Sequence, residues 1–144
     1  MNTIIATIAL SIISLFTFAQ ESTQESLTET GSSITVNVPV ASEEGSVFFA
    51  LQTKDNFLKG GIANLESKIS EGKATVTFKN VTPGEYAITV FWDKNGNKKM
   101  DFEVNGMPKE MYGASNNVMN FGPPQWSDAV FTVTNEPQVL DIRL

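Results

Sequence analysis

The nine residues 93–101 (DKNGNKKMD) carry the clearest candidate chemistry in this chain. Oxygen-bearing side chains stand at positions one, three, five and nine of this segment, as Asp93, Asn95, Asn97 and Asp101. Lys99, at position seven, can offer its backbone carbonyl. Hard cations such as Ca²⁺ prefer oxygen ligands, and a tight loop with this spacing brings such ligands together. The spacing therefore predicts a calcium site formed by these five residues.

Several features separate this loop from an EF-hand. Val104 stands at position twelve, where the EF-hand has Glu, and Gly96 stands at position four instead of six. Three lysines also lie inside the loop. We therefore expect weak calcium binding, with a Kd of about 10⁻⁴–10⁻³ M. Glu103 and Glu110 are the candidates to complete the site. The alternative is a structural loop, in which Asn and Asp side chains accept hydrogen bonds from neighbouring backbone amides.

A second group of candidate residues follows in the same long loop. Tyr112 and Trp126 offer aromatic surfaces to a sugar or a peptide, and Glu110, Asn116 and Asn117 offer polar contacts beside them. The alternative is that Gly, Pro and Asn fix the loop while the aromatic rings fold back onto the domain. A hydrolase that uses Glu110 as acid or base is a third hypothesis. No second carboxylate is placed for a glycosidase pair, which weighs against it.

The amino-acid composition argues against several classes of function. The 144 residues include no Cys and no His, so there is no disulfide framework, no thiolate nucleophile and no imidazole to act as base or metal ligand. The net charge of −6 disfavours nucleic acid and anionic membranes as partners. We expect a non-enzymatic domain whose partner is an extracytoplasmic molecule or a glycan.

The first nineteen residues resemble a signal peptide. Residues 4–18 are apolar with interspersed Ser and Thr, and the short residues Thr17 and Ala19 precede Gln20. The alternative is a short N-terminal membrane anchor, for which the apolar run is short. We predict export to the periplasm or the cell exterior, with no membrane attachment after cleavage. Residues 20–32 are polar, and we expect a flexible leader there.

Residues 33–144 read as one β domain. Ile34, Val36, Val38 and Val40 alternate with polar residues and Pro39, which is the pattern of a half-buried strand near an edge or an end. The runs VFFAL and YAITVFW are more continuously apolar, as in strands covered on both faces. The predicted strands are residues 34–40, 47–51, 73–79, 86–92, 129–134 and 139–144, and residues 65–69 form a strand or a helical turn. Together they predict an all-β antiparallel sandwich of about seven strands.

The segment between residues 92 and 129 is too long for an ordinary connection. A loop of that length is usually either functional or disordered. Its content of Trp, Met, Phe and Tyr is too high for a disordered segment. We therefore expect one long ordered loop that is carried on the sandwich.

Three linked motifs in this chain resemble a known family. They are GEYAITVFWDKNGNKKMD at residues 84–101, GMPKEMYGASNN at residues 106–117 and FGPPQWSDAVF at residues 121–131. They resemble small secreted bacterial proteins catalogued as domain of unknown function 2141, and the resemblance covers about the whole mature domain. It implies an immunoglobulin-like or transthyretin-like sandwich and no established activity. The chain departs from the family at Trp92, where His is usual.

Overall fold

The computed structural model describes residues 31–144, which form two facing β-sheets. The predicted signal peptide and the predicted leader as far as residue 30 lie outside the described residues. Ser32 already belongs to the first strand and is buried. The strand therefore begins two residues before the alternating pattern, at the end of the predicted leader.

The first sheet has three strands. β1 (Ser32–Pro39) lies between β4 (Lys73–Val81) and β8 (Gln138–Asp141). β1 is antiparallel to β4 but parallel to β8. The predicted sandwich is confirmed, but the sheet is mixed where we expected purely antiparallel pairing. The reason is the chain path, since the whole domain separates β1 from β8 and so acts as the long crossover that a parallel pair needs.

The second sheet runs in the order β3 (Ala63–Lys68), β2 (Ser46–Gln52), β5 (Gly84–Asp93) and β6 (Tyr112–Ala114). β7 (Phe131–Val133) pairs with the first three residues of β5. Most of residues 65–69, for which the sequence allows a strand or a helical turn, belong to strand β3. Several predicted boundaries differ from the structure. β7 is shorter than residues 129–134 and β8 ends before residue 144, whereas β4 and β5 extend beyond residues 73–79 and 86–92.

The core lies between the two sheets. Alternate residues of β1 are fully buried, and they face alternate residues of β2 and β5. This packing leaves the other face of the second sheet uncovered by the first sheet. The buried apolar side chains of β1, β2 and β5 include Ile34, Val36, Val38, Val47, Phe49, Leu51, Ile88 and Val90.

The long loop covers that outer face of the second sheet. Phe91 of β5 stacks on Phe48 of β2, with ring centroids 5.2 Å apart, and loop residues lie across a cavity from Phe91. The loop has structure of its own, including β6, a 3-10 helix at Ser115–Asn117 and helix α1 (Trp126–Ala129). Another 3-10 helix spans Lys54–Asn56. Among residues 31–144, no helix has the length and apolarity that a membrane crossing requires.

Candidate functional site

Asp93 organises the start of the long loop. It is the last residue of β5, and only 1% of its surface is exposed. Its Oδ1 accepts a hydrogen bond from the Gly96 amide at 2.9 Å, and its Oδ2 accepts one from the Lys98 amide at 2.8 Å. Gly96 and Lys98 adopt φ values of 75° and 63°, so the carboxylate holds a tightly turned backbone. Both carboxylate oxygens thus bind backbone amides, as the structural alternative expects.

Three other predicted ligands meet in the structure, because Asn95 and Asn97 both contact Asp101. The side-chain nitrogens of Asn95 and Asn97 donate to the same oxygen, Asp101 Oδ2, over 2.7 and 2.6 Å. These hydrogen bonds lower the pKa of Asp101, with Asn95 contributing most. Partial burial opposes the shift, whereas Asn97 and the charges of Lys99 and Lys109 support it. Asp101 is therefore a carboxylate at neutral pH.

The amide oxygens of these asparagines accept hydrogen bonds within the loop. Asn95 Oδ1 accepts from the amide of Asn97, and Asn97 Oδ1 accepts from the amide of Lys99, both at 3.1 Å. Lys99 therefore joins the network through its amide N–H, whereas the sequence suggested its carbonyl. In this arrangement, the side-chain nitrogens are the groups that face Asp101.

Glu110 completes the group from outside the nine-residue loop. Its Oε2 accepts a hydrogen bond from the Asp101 amide at 3.0 Å. Its Oε1 is buried and has no hydrogen-bond partner among residues 31–144. Together with Asn95 and Asp101, Glu110 lines an open pocket at the surface. Glu103, the other candidate from the sequence, does not line it.

The pocket is lined by the carboxylate residues Glu44, Asp101 and Glu110 and by Lys94 and Lys109. A buried acceptor without a donor requires an explanation, and a bound ion is one. Carboxylate oxygens are ligands that suit Ca²⁺, whereas Asn95 and Asn97 present their side-chain nitrogens to Asp101 in this arrangement. In the described part of the chain, no group of three or more His, Cys, Asp or Glu side chains could hold a metal. An ion here therefore needs amide oxygens as well as the carboxylates of Asp101 and Glu110.

Ser115 and Asn116 attach the far half of the loop to the sheet. Ser115 is 1% exposed, and its hydroxyl accepts a hydrogen bond from the Ile88 amide at 3.1 Å and donates one to the carbonyl of Ala129. The side-chain nitrogen of Asn116 donates to two carbonyls, those of Asp128 in α1 and of Val130, over 2.9 Å each. Asn116, a predicted ligand-binding residue, thus has its side-chain N–H groups engaged with the backbone.

Asn117 and Trp126, two more predicted ligand-binding residues, also make contacts within the domain. Asn117 donates to the carbonyl of Asp141 and accepts from the amide of Arg143, both at 2.8 Å. It therefore ties the loop to the C-terminal segment. Trp126 in α1 is half-buried and meets Phe57 edge to face, with centroids 5.7 Å apart.

Tyr112, another predicted ligand-binding residue, lines a cavity between the loop and the sheet. Its hydroxyl donates to the carbonyl of Gly122 at 3.1 Å. Its ring lies with Phe91, Met100 and Met107 around a cavity of about 520 Å³ between the loop and the sheet. Sequence reasoning did not predict this cavity.

The three linked motifs lie in this loop and in the strands that flank it. A family model described as "Uncharacterized protein conserved in bacteria (DUF2141)" matches residues 34–141. The chain belongs to this family. The match runs from β1 to the end of β8 and includes the whole long loop, so the family identified from the sequence is confirmed.

Other comparisons add little. No curated protein matches the chain. Among solved structures, a pilus-presented adhesin, Spy0125 (Cpa), is similar at 12% identity and a TM-score of 0.25. The match covers 81% of this chain and 27% of the adhesin chain. A likeness this weak carries no argument about function.

Proposed function

We propose that this family member is an exported, non-enzymatic β-sandwich domain whose long loop is fixed by a bound calcium ion. Glu110 Oε1 carries the proposal, because it is a buried acceptor without a donor and because Glu110 lines the same pocket as Asp101. The apolar N-terminal run and the Ala19–Gln20 junction support export. The lack of His and Cys in the sequence supports a non-enzymatic role.

The carboxylates of Asp101 and Glu110 would hold the ion together with the amide oxygens of Asn95 and Asn97. For this, each amide must present its oxygen in place of its nitrogen, which also breaks its hydrogen bond to a loop amide. The ion competes with two short hydrogen bonds to Asp101 Oδ2. Because of this competition we expect weak calcium binding, with a Kd of about 10⁻⁴–10⁻³ M.

The ion would stabilise one defined turn. Asp101 and Glu110 flank a hairpin in which Phe102 bridges Pro108 and the Lys109 amide donates to the Asp101 carbonyl at 2.9 Å. A cation bound by Asp101 and Glu110 would therefore tie the two arms of the hairpin together at its open end. Asp93 supports the site indirectly by shaping the backbone that carries Asn95.

An aromatic platform for a glycan or peptide has weaker support. Tyr112 lines a cavity, but Trp126 packs against Phe57. The calcium proposal accounts for the orphan oxygen of Glu110, which a platform built on Tyr112 and Trp126 leaves unexplained.

Thermal unfolding in EDTA and in millimolar calcium tests the proposal. At about one hundred times Kd, a bound ion adds about 2.7 kcal/mol to the free energy of unfolding, which raises the melting temperature. We expect Glu110→Gln to remove most of this rise. Glu103→Gln is the matched control, because it makes the same change on the same hairpin outside the pocket. An equal rise in Glu110→Gln, or no rise in the native protein, contradicts the proposal.

A further inference from the structure

The cavity between the long loop and the second sheet has the size of a small-molecule site. Its volume is about 520 Å³, within the range of about 300–1,000 Å³ that is typical of such sites. Phe91 and Thr89 of β5 and Gln52 of β2 form the floor, and Met100, Met107 and Tyr112 contribute to the walls. Leu58, Phe102 and Met107 also line it, and all three are exposed. The rim is therefore apolar as well.

The lining favours a neutral, apolar occupant. None of the side chains that line the cavity is charged, so a charged ligand would lose its hydration without an ionic partner. Met100 and Met107 are flexible and polarisable, and such side chains adapt to ligands of different shape.

One polar group on the floor can reach a ligand. Gln52 is 3% exposed, and its Oε1 accepts a long hydrogen bond of 3.5 Å from the Leu58 amide. Its Nε2 makes no hydrogen bond to another residue in the described part of the chain, yet it is not among the fully buried side-chain atoms that lack a partner. This nitrogen therefore keeps some accessible surface, and a ligand that offers a carbonyl or similar oxygen could accept a hydrogen bond from it.

We propose that this cavity binds a compact, neutral, apolar molecule whose hydrogen-bond acceptor lies against Gln52 Nε2. This goes beyond the calcium proposal, because the lining of the cavity includes none of the proposed ion ligands.

The experiment uses the neutral dye Nile red, which fluoresces in apolar sites and carries a carbonyl. The bound dye is displaced with methyl heptyl ketone and, separately, with nonanoate, which has a similar chain but a charge. We expect saturable dye binding and displacement by the ketone at concentrations at least about tenfold lower than by nonanoate. Each titration is made in EDTA and in calcium, so that a failure of the ion proposal is seen separately.

Two variants locate the binding. Gln52→Met keeps the shape and removes the donor, so the ketone should bind about 2- to 10-fold more weakly while dye binding persists. Met100→Trp fills the cavity and should abolish dye binding. Val139→Trp is the control, because Val139 is exposed on β8 of the other sheet.

Any of three results overturns the proposal: the dye does not bind, nonanoate displaces it as well as the ketone does, or folded Met100→Trp binds it unchanged. Unchanged ketone affinity in Gln52→Met overturns the assigned role of Gln52.

Discussion

Replacing Ser115 with Ala should weaken the attachment of the long loop to the sandwich. β6 pairs with Thr89–Phe91 of β5, whereas β7 pairs with Gly84–Tyr86. The Ile88 amide lies between these two pairings. Ser115 satisfies this amide and the Ala129 carbonyl with one hydroxyl. Ser115→Ala therefore removes the partner of two backbone groups at once.

The expected loss follows from the burial of those groups. Ile88 and Ala129 are 0% and 1% exposed, so water cannot readily replace the hydroxyl. Leaving a buried donor or acceptor unsatisfied costs about 1–3 kcal/mol. For two groups we expect a loss of about 2–4 kcal/mol, which is a large part of the total stability of a typical domain.

Urea unfolding measures this loss directly. The midpoint should fall while the m-value stays the same, because the surface exposed on unfolding hardly changes. Ser67→Ala is the matched control. The Ser67 hydroxyl makes a hydrogen bond only to the carbonyl of the next residue, at the surface, and we expect a change within about 0.5 kcal/mol. A similarly small change in Ser115→Ala would refute the bridging role.

Three further predictions concern the loop. Asp93→Asn puts an amide nitrogen in place of one acceptor oxygen, and we expect urea unfolding to show a loss of about 2–3 kcal/mol; an unchanged midpoint would contradict this. Gly113→Ala places a methyl carbon 1.9 Å from the carbonyl oxygen of Arg143, so a loss of about 3 kcal/mol or more is expected, and a native-like melting temperature would show that the contact is wrong. The pKa of Asp101 is lowered below its ordinary 3.8, so the stability it contributes is complete above that pH and disappears as pH falls through the lowered pKa. As the pH is lowered, the free energy of unfolding of Asp101→Asn should therefore fall by less than that of the native protein. Parallel curves of this free energy against pH would disprove the prediction.

The strands were predictable because their signal is local. Alternation at Ile34, Val36 and Val38 reports one buried face, whichever strand lies next to it. The parallel pairing of β1 with β8 depends on contacts between the two ends of the domain, and no local pattern encodes it. Strand β6 has three residues and lies inside the Gly- and Asn-rich loop, so its identity as a strand depends on its pairing with β5.

The site was predictable only in part, for the same reason. The structure brings Asn95 and Asn97 to Asp101, but through their side-chain nitrogens and not through the oxygens that the spacing suggested as ligands. The sequence could not decide between Glu103 and Glu110, because the choice depends on how the hairpin after Asp101 folds back. The apolar runs in β2 and β5 did indicate strands covered on both faces. That signal is consistent with the covered outer face, but it did not single out Gln52 as a cavity residue.

A calcium titration followed by ¹⁵N–¹H NMR is the sharpest test of calcium binding by the long loop, because each backbone amide reports its own position. We predict saturable shifts confined mainly to residues 93–110, including the Asp101 amide that donates to Glu110, with a Kd of about 10⁻⁴–10⁻³ M. Glu110→Gln should weaken binding at least about tenfold, a loss of about 1.4 kcal/mol, and Glu103→Gln should leave it unchanged. The absence of saturable shifts at millimolar calcium, or equal binding by Glu110→Gln, would show that the loop does not bind calcium through Glu110.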